Sequence, residues 1–579
     1  PPSLMSKLSL CASDPPSLMS KLSLCASVPP SLVFYKKQYL YLNNYYIIFI
    51  MSSKQIAKSA AIVSVITMLS RVLGYVRDAI SAAILGVGWV SDAFFVAFRI
   101  PNMLRSLLAE GALSSAFIPV FTDYLEKKDR RETWLLAVNV LNALSLLLVL
   151  ITFAGIVFAP FIVTIMAPGF INDPQKFQLT VSLTRWLFPF ILFVSIAALF
   201  LGILNSLKKF SIPAFAPVVL NVSMIASGVF ICPRLGDTPE QQVYGWVFGA
   251  LFGSFLEILI QWIPSVKEGL AWKPFINLKD EGLRRIGKLM IPATLAQSVT
   301  QINLLVNTIL ASLLAEGAVT YLYYGNRLMQ LPLGVFGVAV ATVAFPFISQ
   351  YASRGDYDSL RDTIHSSLKQ AFFVVLPASA GLIALSVPIN LLLFNYGRFQ
   401  FDDAIKTAGV SAVYCTAIFA HTGVKILTQV FYAINKAGTA VKISVSSMII
   451  NILLCVSLMF SMNYLGLALA TSLAALIQFI ALYFYLSKFI NGLKTKEFLA
   501  YCAKVTAISL IMAGLSYLTY YLLNANFNAA EFSRTINGFI VLASITVGVI
   551  SYGIMAKLAG LNYAEKIMKG IVNRFNKKK

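Results

Sequence analysis

Charged side chains that interrupt apolar stretches are the residues of this sequence whose types could do chemistry. Two such stretches near the start contain Arg71, Arg77, Asp78, Asp92, Arg99, Arg105 and Glu110. Later apolar stretches contain Arg185, Arg327 and Lys425. A charge at the centre of a bilayer costs about 2.5–3.5 kcal/mol on insertion scales, so a charge in a membrane span is expected to face a cavity or a partner.

The balance of these charges predicts an anionic ligand. Taken together with Arg327, the first two stretches hold five arginines against three acids. Guanidinium groups match phosphate oxygens through their forked donors, and a diphosphate is therefore the natural candidate. The alternative is an internal ion-pair network, in which Arg77 pairs with Asp78 or Asp92 and Arg105 pairs with Glu110. For any single residue the two interpretations stay open.

Glycine and proline indicate where these stretches could bend. Arg71 and Arg77 are six residues apart, about 120° around an ideal helix, and so do not share a face. A bend at Gly74, or at Gly86 and Gly88, would bring both toward one cavity.

Prolines mark the second stretch and the one that contains Arg327. They are Pro101, Pro119, Pro332 and Pro346. Because proline removes a backbone hydrogen bond and kinks a helix, their concentration favours a mobile pair of spans that line a cavity. Kinks that serve packing alone are the alternative.

The composition places these residues in a membrane. Of 579 residues, 58% are hydrophobic and 12% are charged, whereas soluble domains carry about 25% charged residues. Trp134–Met166 and Val505–Leu523 are long enough to cross the hydrocarbon as helices. No series of short alternating strands, which a barrel requires, is seen. The sequence predicts an all-α integral membrane protein.

The net charge of +22 does not indicate nucleic-acid binding, because the basic residues fall in short clusters between apolar spans. Six cysteines without a CxxC motif and two histidines give no metal-site pattern. The sequence therefore predicts no nucleic-acid partner, no metal and no cofactor. A coupling ion or the membrane potential is left open as a driving force.

Hydropathy predicts about fourteen spans. Their centres lie near Ile66, Val96 to Phe121, Leu148, Ile191, Val222, Leu251, Leu304, Val335, Leu382, Ala417, Ile449, Ala474, Leu510 and Ile545. Basic clusters such as Lys127–Arg131 and Lys577–Lys579 fall on one side of the spans. The other side has little beyond Lys176, Arg234, Arg398, Lys406 and Arg534. The positive-inside rule then predicts cytoplasmic termini and an even number of spans.

A long-period repeat predicts two similarly oriented lobes. Pro119–Tyr124 and Pro346–Tyr351 are similar segments, and Asn205 with Asn221 matches Asn435 with Asn451 at nearly the same offset along the chain. Six spans per repeat give parallel lobes with a site between them. Spans thirteen and fourteen lie outside the repeat.

Five segments follow from these patterns. Residues 1–50, which repeat PPSLMSKLSLCAS, are interpreted as translation upstream of a start at Met51 or, alternatively, as an added regulatory arm. Residues 51–275 form the predicted N-lobe and residues 276–490 the C-lobe. Residues 491–560 hold the last two spans, and residues 561–579 form a basic cytoplasmic tail.

Several blocks carry a family resemblance. They are Ser70–Asp78 (SRVLGYVRD), Ser91–Arg105 (SDAFFVAFRIPNMLR), Ala109–Pro119 (AEGALSSAFIP), Tyr324–Ala339 (YGNRLMQLPLGVFGVA) and Gln429–Ala433 (QVFYA). From about residue 51 to the last span, the chain strongly resembles the MurJ/MviN lipid II flippases of bacteria.

The resemblance implies a fold and a function. The fold is that of the multidrug/oligosaccharidyl-lipid/polysaccharide exporter superfamily. Its spans one, two, seven and eight line a central cavity, and its last two spans form a lipid-tail groove. The function is movement of lipid II, the undecaprenyl-pyrophosphate-linked peptidoglycan precursor, to the outer leaflet of the bacterial inner membrane. Membrane lipids and cell-wall synthesis enzymes are the implied partners.

The resemblance also implies site residues. The family's essential arginines fall on Arg71, Arg77, Arg105 and Arg327, with Asp92 and Glu110 as associated acids. By position we add Arg99 and Asp78 as gating or ion-pairing residues, and Gly74, Pro101 and Pro332 as hinges. Family members often have aspartate where this chain has Asn326, which puts the role of that acid in doubt.

Two other functions remain as alternatives. An exporter of drugs or of another polyprenyl-linked glycan would share the fold, although a cation exporter would need unpaired acids in its cavity. A membrane glycosyl- or phosphotransferase would need carboxylates at the cytoplasmic face to hold a divalent cation. The acidic loops near Asp280 and Asp356 are instead typical of helix starts.

Overall fold

The computed structural model describes residues 61–107, 113–527 and 534–561. The chain divides into two compact units, Pro1–Thr67 and Met68–Lys579, and the site described below lies entirely within the second. Within the described ranges every regular element is a helix. The predictions for residues 1–50, for Glu110 and for residues 562–579 of the tail lie outside these ranges.

The first half of the chain contains ten α-helices in the described ranges, besides a 3-10 helix at Pro168–Asn172 and a π-helical turn at Ser227–Ile231. In chain order they are α1 (residues 61–85), α2 (Trp89–Arg105), α3 (Ser114–Lys127), α4 (Arg130–Val157), α5 (Ala159–Met166), α6 (Pro174–Leu187), α7 (Pro189–Ser206), α8 (Ser211–Ala226), α9 (Cys232–Leu235) and α10 (Pro239–Lys267).

The second half continues in the same way. Its described helices are α11 (Glu281–Ser312), α12 (Ala318–Pro332), α13 (Val338–Arg354), α14 (Tyr357–Ala384), α15 (Ser386–Phe394), α16 (Phe401–Cys415), α17 (Ile418–Ala433), α18 (Ala437–Phe489), α19 (Thr495–Phe527) and α20 (Arg534–Leu558). A π-helical turn, Leu333–Gly337, joins α12 to α13 directly after Pro332.

Nine stretches of helix in the described residues are long and apolar enough to span a membrane, and α16 with α17, bent by 40°, would make a tenth. Helices also lie at the predicted first, second and seventh spans, but α1 and α2 carry several charges, and the apolar stretch found in α11, Gln301–Ser312, is too short to be counted. Helix α18 covers two predicted spans and is kinked at Asn463, where the backbone is non-helical. The protein is an all-α membrane protein, and the count of fourteen stays a prediction.

The outward-facing surface of these helices is apolar. Phe153 is 68% exposed, and Phe460 and Leu558 are each 83% exposed. Large side chains of this kind would be costly in water, but hydrocarbon is their natural solvent. The surface therefore agrees with a lipid environment around the bundle.

An equivalent contact occurs in each half of the chain. The Asn221 amide accepts a hydrogen bond from Arg77 and donates one to the Ser70 carbonyl. The Asn451 amide donates to the side chains of Asn303 and Asn307. Position 77 precedes position 307 by the same offset that separates 221 from 451. The asparagines whose spacing suggested a repeat thus join corresponding pairs of helices in the two halves.

The last two helices pack on each other and on α14. Val505 and Tyr552 are buried with Phe373 in one apolar cluster, and the Tyr552 hydroxyl donates to the Phe373 carbonyl at 2.6 Å. Helices α19 and α20 are thereby attached to the second half of the chain.

Candidate substrate cavity

Helices from both halves of the chain surround a cavity of about 510 Å³. Its wall includes residues of α1, α2, α7 and α8 from the first half, and of α11, α12, α16 and α18 from the second. It therefore lies where the repeat predicted a site between two lobes.

Five arginines line this cavity, and no acidic residue occurs among its described lining residues. They are Arg71, Arg77, Arg99, Arg105 and Arg327. All five had been singled out from the sequence as intramembrane charges. Polar neutral side chains, including Asn102, Asn221, Gln301 and Asn307, line the same wall. The cavity can therefore offer hydrogen-bond donors and positive charge to an anion.

Helix α1 carries Arg71 and Arg77 and is helical without a break through Gly74. Both arginines nevertheless line the cavity, so the bend that was predicted at Gly74 is not needed to bring them there. The chain turns instead at Gly86, where φ is +64° and a Cβ atom would lie 2.9 Å from the Arg398 carbonyl oxygen. Glycine satisfies both constraints.

Asp78 is shared by two of the arginines. Its Oδ1 lies 2.7 Å from Arg77 Nη2, and its Oδ2 lies 2.6 Å from Arg327 Nε. The Tyr323 hydroxyl accepts a hydrogen bond from Arg327 Nη2 at 2.8 Å, and the Tyr75 hydroxyl donates to the Arg327 carbonyl. One carboxylate cannot neutralise two guanidinium groups, so this cluster keeps a net positive charge.

Arg71 and Arg99 make neither an ion pair nor a hydrogen bond with any part of the chain that the structure describes. The Arg71 guanidinium packs directly on the π-helical turn, and a Cβ atom at Gly334 would lie 2.0 Å from its Nη1. A side chain at position 334 would therefore require the Arg71 guanidinium to move. The hinge roles proposed for Gly74, Pro101 and Pro332 stay predictions.

Asn326 does not take the place of an acid. Its Oδ1 accepts a hydrogen bond from Gln330 Nε2 at 2.5 Å, and Gln330 Oε1 lies 3.5 Å from Arg327 Nη1. Arg327 instead obtains its carboxylate from Asp78. The position where relatives often have aspartate is therefore neutral here.

Asp92 lies apart from the arginines, at the other end of α2. It is buried, and its Oδ2 lies 2.9 Å from Lys176 Nζ. It also accepts hydrogen bonds from the Gly317 and Thr320 backbone N–H groups, at 2.8 and 3.0 Å, and so caps the start of α12. Asp92 therefore pairs with Lys176, and Arg77 pairs with Asp78, the other of the two partners that the sequence allowed for it.

The cap is reciprocal, since Glu316, just before α12, accepts a hydrogen bond from the Trp89 N–H at 2.7 Å. Nearby, Arg398 donates to the Ile84 carbonyl and to the Gln242 side chain, both at 2.8 Å. These contacts join the two halves at the start of α2, the end away from Arg105. We call this set the capped end.

Sequence reasoning missed several residues of these clusters. Lys176 and Arg398 had been assigned to loops on the weakly charged side, and Glu316 had not been considered. Asn221 had been noted only as a marker of the repeat. Their contacts join residues 84 to 314 positions apart, and no local pattern indicates such pairs.

Comparison with known proteins agrees with this arrangement. Residues 81–551 match the family model described as "Lipid II flippase MurJ". The chain is 36% identical over 420 residues to the "Probable lipid II flippase MurJ" of Buchnera aphidicola subsp. Acyrthosiphon pisum, covering 72% of this chain and 81% of the relative. It is 34% identical over 460 residues to the "Lipid II flippase MurJ" of Burkholderia cenocepacia, covering 79% and 88%.

A solved structure also resembles the fold. It is titled "Lipid II flippase MurJ, inward closed conformation", and it superimposes with a TM-score of 0.72 at 26% identity, covering 86% of this chain and 99% of that one. The residues that match the family model, 81–551, contain three of the five cavity arginines, Arg99, Arg105 and Arg327. On the family model and the relatives together, this chain belongs to the MurJ family of lipid II flippases.

Proposed function

We propose that this protein moves lipid II from the inner to the outer leaflet of the bacterial cytoplasmic membrane. The observation that carries the proposal is a cavity wall with five arginines and no acidic residue among the described lining residues. A diphosphate offers several charged oxygen acceptors that match the forked donors of guanidinium groups. The relatives' names identify lipid II as the lipid that carries this diphosphate.

The transport step follows from the position of the contacts. The diphosphate binds at the arginines, while the prenyl chain stays in the lipid beside the helices. The capped end then has to open so that the head group leaves on the other side, which is alternating access between the two halves. Asp92, Lys176 and Glu316 hold that end closed in this structure, which gives Asp92 a gating role.

The direction of transport is proposed from charge. The basic loops, beginning with Lys127–Arg131, face the cytoplasm by the positive-inside rule, and the capped end then faces outward. Both termini lie in the cytoplasm in this arrangement. The membrane potential acts on net charge at about 2.3 kcal/mol per charge per 100 mV, which is enough to bias the cycle.

Genetic complementation tests the proposal. Cells depleted of their own flippase are supplied with residues 51–579 or with the full chain, and growth and precursor translocation are measured. We expect both forms to restore translocation. Failure of both forms, at normal abundance in the membrane, would contradict the proposal.

A second assay separates transport from enzymatic conversion. Purified protein is incubated with radiolabelled lipid II, and the products are extracted and separated. A flippase relocates the labelled lipid without changing it. A transferase would convert it, and a converted product would replace the proposed function with an enzymatic one.

A further inference from the structure

Helix α17 has a polar face that the cavity arginines do not account for. His421, Lys425, Gln429 and Tyr432 follow one another at helical spacing and so lie on one side of the helix. Ile426 and Val430, on the opposite side, are completely buried. An apolar membrane helix needs no polar stripe for packing, so the stripe calls for a separate explanation.

Lys425 is the charged residue of this stripe and lies in the middle of α17. Among the described residues it has neither an ion-pair partner nor a hydrogen-bond partner. Lys425 is exposed, and α17 packs through Thr422 on the Leu333–Gly337 turn, which the Arg71 guanidinium also contacts. Arg71 is likewise without a described partner, so two positive charges without a described partner lie on elements that pack on the same turn. Within a membrane this arrangement is unfavourable unless an anion joins them.

The neighbours of Lys425 along the stripe offer further polar atoms. His421 Nε2 and Gln429 Oε1 are both buried, and neither has a hydrogen-bond partner in the described structure. A histidine ring nitrogen can donate to an oxyanion, and the Gln429 amide can turn to present its NH₂ group. Buried polar atoms normally have partners, so these two groups are available to a ligand that reaches the stripe.

We propose that Lys425, His421 and Arg71 form a second anion site, which binds the phosphate or diphosphate group of a polyprenyl lipid. Arg71 also lines the central cavity, so the site is continuous with the cluster of Arg77, Asp78 and Arg327. The diphosphate passes from one site to the other along Arg71. This inference rests on the proposed function for the identity of the lipid, but it adds a binding residue on α17.

Binding measurements on the full chain in nanodiscs of neutral lipid test this site. Undecaprenyl diphosphate and inorganic diphosphate are each titrated onto the wild type, Lys425→Gln and Lys425→Arg. Lys442→Gln, at an exposed position in the second turn of α18, removes the same charge elsewhere and is the matched control.

We expect Lys425→Gln to weaken binding of undecaprenyl diphosphate by at least about tenfold, which corresponds to one hydrogen bond to a charged group. Lys425→Arg and Lys442→Gln should bind as the wild type does. The same loss for inorganic diphosphate would identify the anion alone as the ligand, whereas a loss confined to the lipid would show that the prenyl chain is also recognised. Unchanged affinity of Lys425→Gln for both ligands would overturn the proposal.

Flipping assays on the same proteins separate this inference from the proposed function. If the wild type relocates lipid II while Lys425→Gln binds both ligands normally, the second site is wrong and the function stands. If the wild type relocates no lipid II, but Lys425→Gln binds the diphosphate ligands more weakly than the wild type does, the proposed function is wrong and the anion site stands.

Discussion

Asp78 joins Arg77 to Arg327, an arginine from the other half of the chain, and the balance of charge around it decides between two interpretations. An internal ion-pair network explains part of the cluster, because Arg77 and Arg327 both contact this carboxylate. It does not explain Arg71 and Arg99, which have no described partner. The surplus charge is what a diphosphate would neutralise.

Replacing Asp78 tests the structural part of this interpretation. Asp78→Asn leaves two guanidinium groups facing each other without a carboxylate, and removal of one member of a buried ion pair costs about 3–5 kcal/mol. We expect a clear loss of thermal stability in detergent and a lower abundance in the membrane. Arg99→Gln, which breaks no described contact, is the control and should keep its stability. Equal stability of Asp78→Asn and the wild type would show that the shared carboxylate is not structural.

The types of these residues could be predicted from the sequence, but most of their partners could not. An arginine in an apolar span is unusual by itself, so Arg71, Arg77, Arg99 and Arg327 were identified from composition alone. Arg77 and Asp78 are adjacent, and their pairing was one of the alternatives. The pairing of Asp92 with Lys176 depends on how α6 packs on α2, which the order of residues does not reveal.

At the scale of elements, α2 and α12 begin at the same end of the molecule and cap each other. Asp92 of α2 accepts from the first N–H groups of α12, and Glu316 accepts from the Trp89 N–H. Capping satisfies N–H groups that a helix start otherwise leaves unpaired. The capped end is thus held by bonds that can be exchanged for water when it opens.

Substitution of Asp92 should shift the capped end toward an open state. Asp92→Asn leaves Lys176 buried without its carboxylate and weakens the cap on α12. We expect the ratio of open to closed molecules to rise about tenfold, a change that corresponds to about 1.4 kcal/mol. Double electron–electron resonance measures the distance between spin labels at the exposed positions Leu235 and Phe401. A larger open population would appear as a longer distance between the two labels.

Asp402→Asn is the control for that measurement, because the ion pair that Asp402 makes with Lys406 is exposed and lies outside the cap. It should leave the distance distribution as in the wild type. An unchanged distribution for Asp92→Asn would mean that the cap does not hold this end closed.

Hydropathy predicted the strongly apolar helices more directly than the functional ones. Helices such as α4 and α10 meet a criterion of length and apolar composition, whereas α1 and α2 do not, because they carry the cavity charges. Their assignment as spans relied on the alternation of basic loops. The charged side chains on which the proposed function of α1 and α2 depends also lower the hydropathy of these two helices.

For the whole molecule, composition was sufficient to predict an all-helical membrane protein. The repeat was visible as two weak matches at nearly equal offsets, and Asn221 and Asn451 turn out to make equivalent contacts. Whether the capped end is open or closed could not be predicted from the sequence, because the same sequence adopts both conformations during transport. The N-lobe and C-lobe boundaries near residues 275 and 490 stay predictions.

The central claim is that positive charge in the cavity binds the diphosphate of lipid II. Proteoliposomes with labelled lipid II measure it directly, when the wild type is compared with Arg71→Gln and Arg99→Gln. Arg354→Gln removes the same charge from an exposed position outside the cavity and is the matched control.

The wild type and Arg354→Gln should relocate the lipid at the same rate. The two cavity variants, reconstituted in equal amounts, should be slower by at least about tenfold, since each loses hydrogen bonds to a charged group. Relocation by both cavity variants at the wild-type rate would contradict the account.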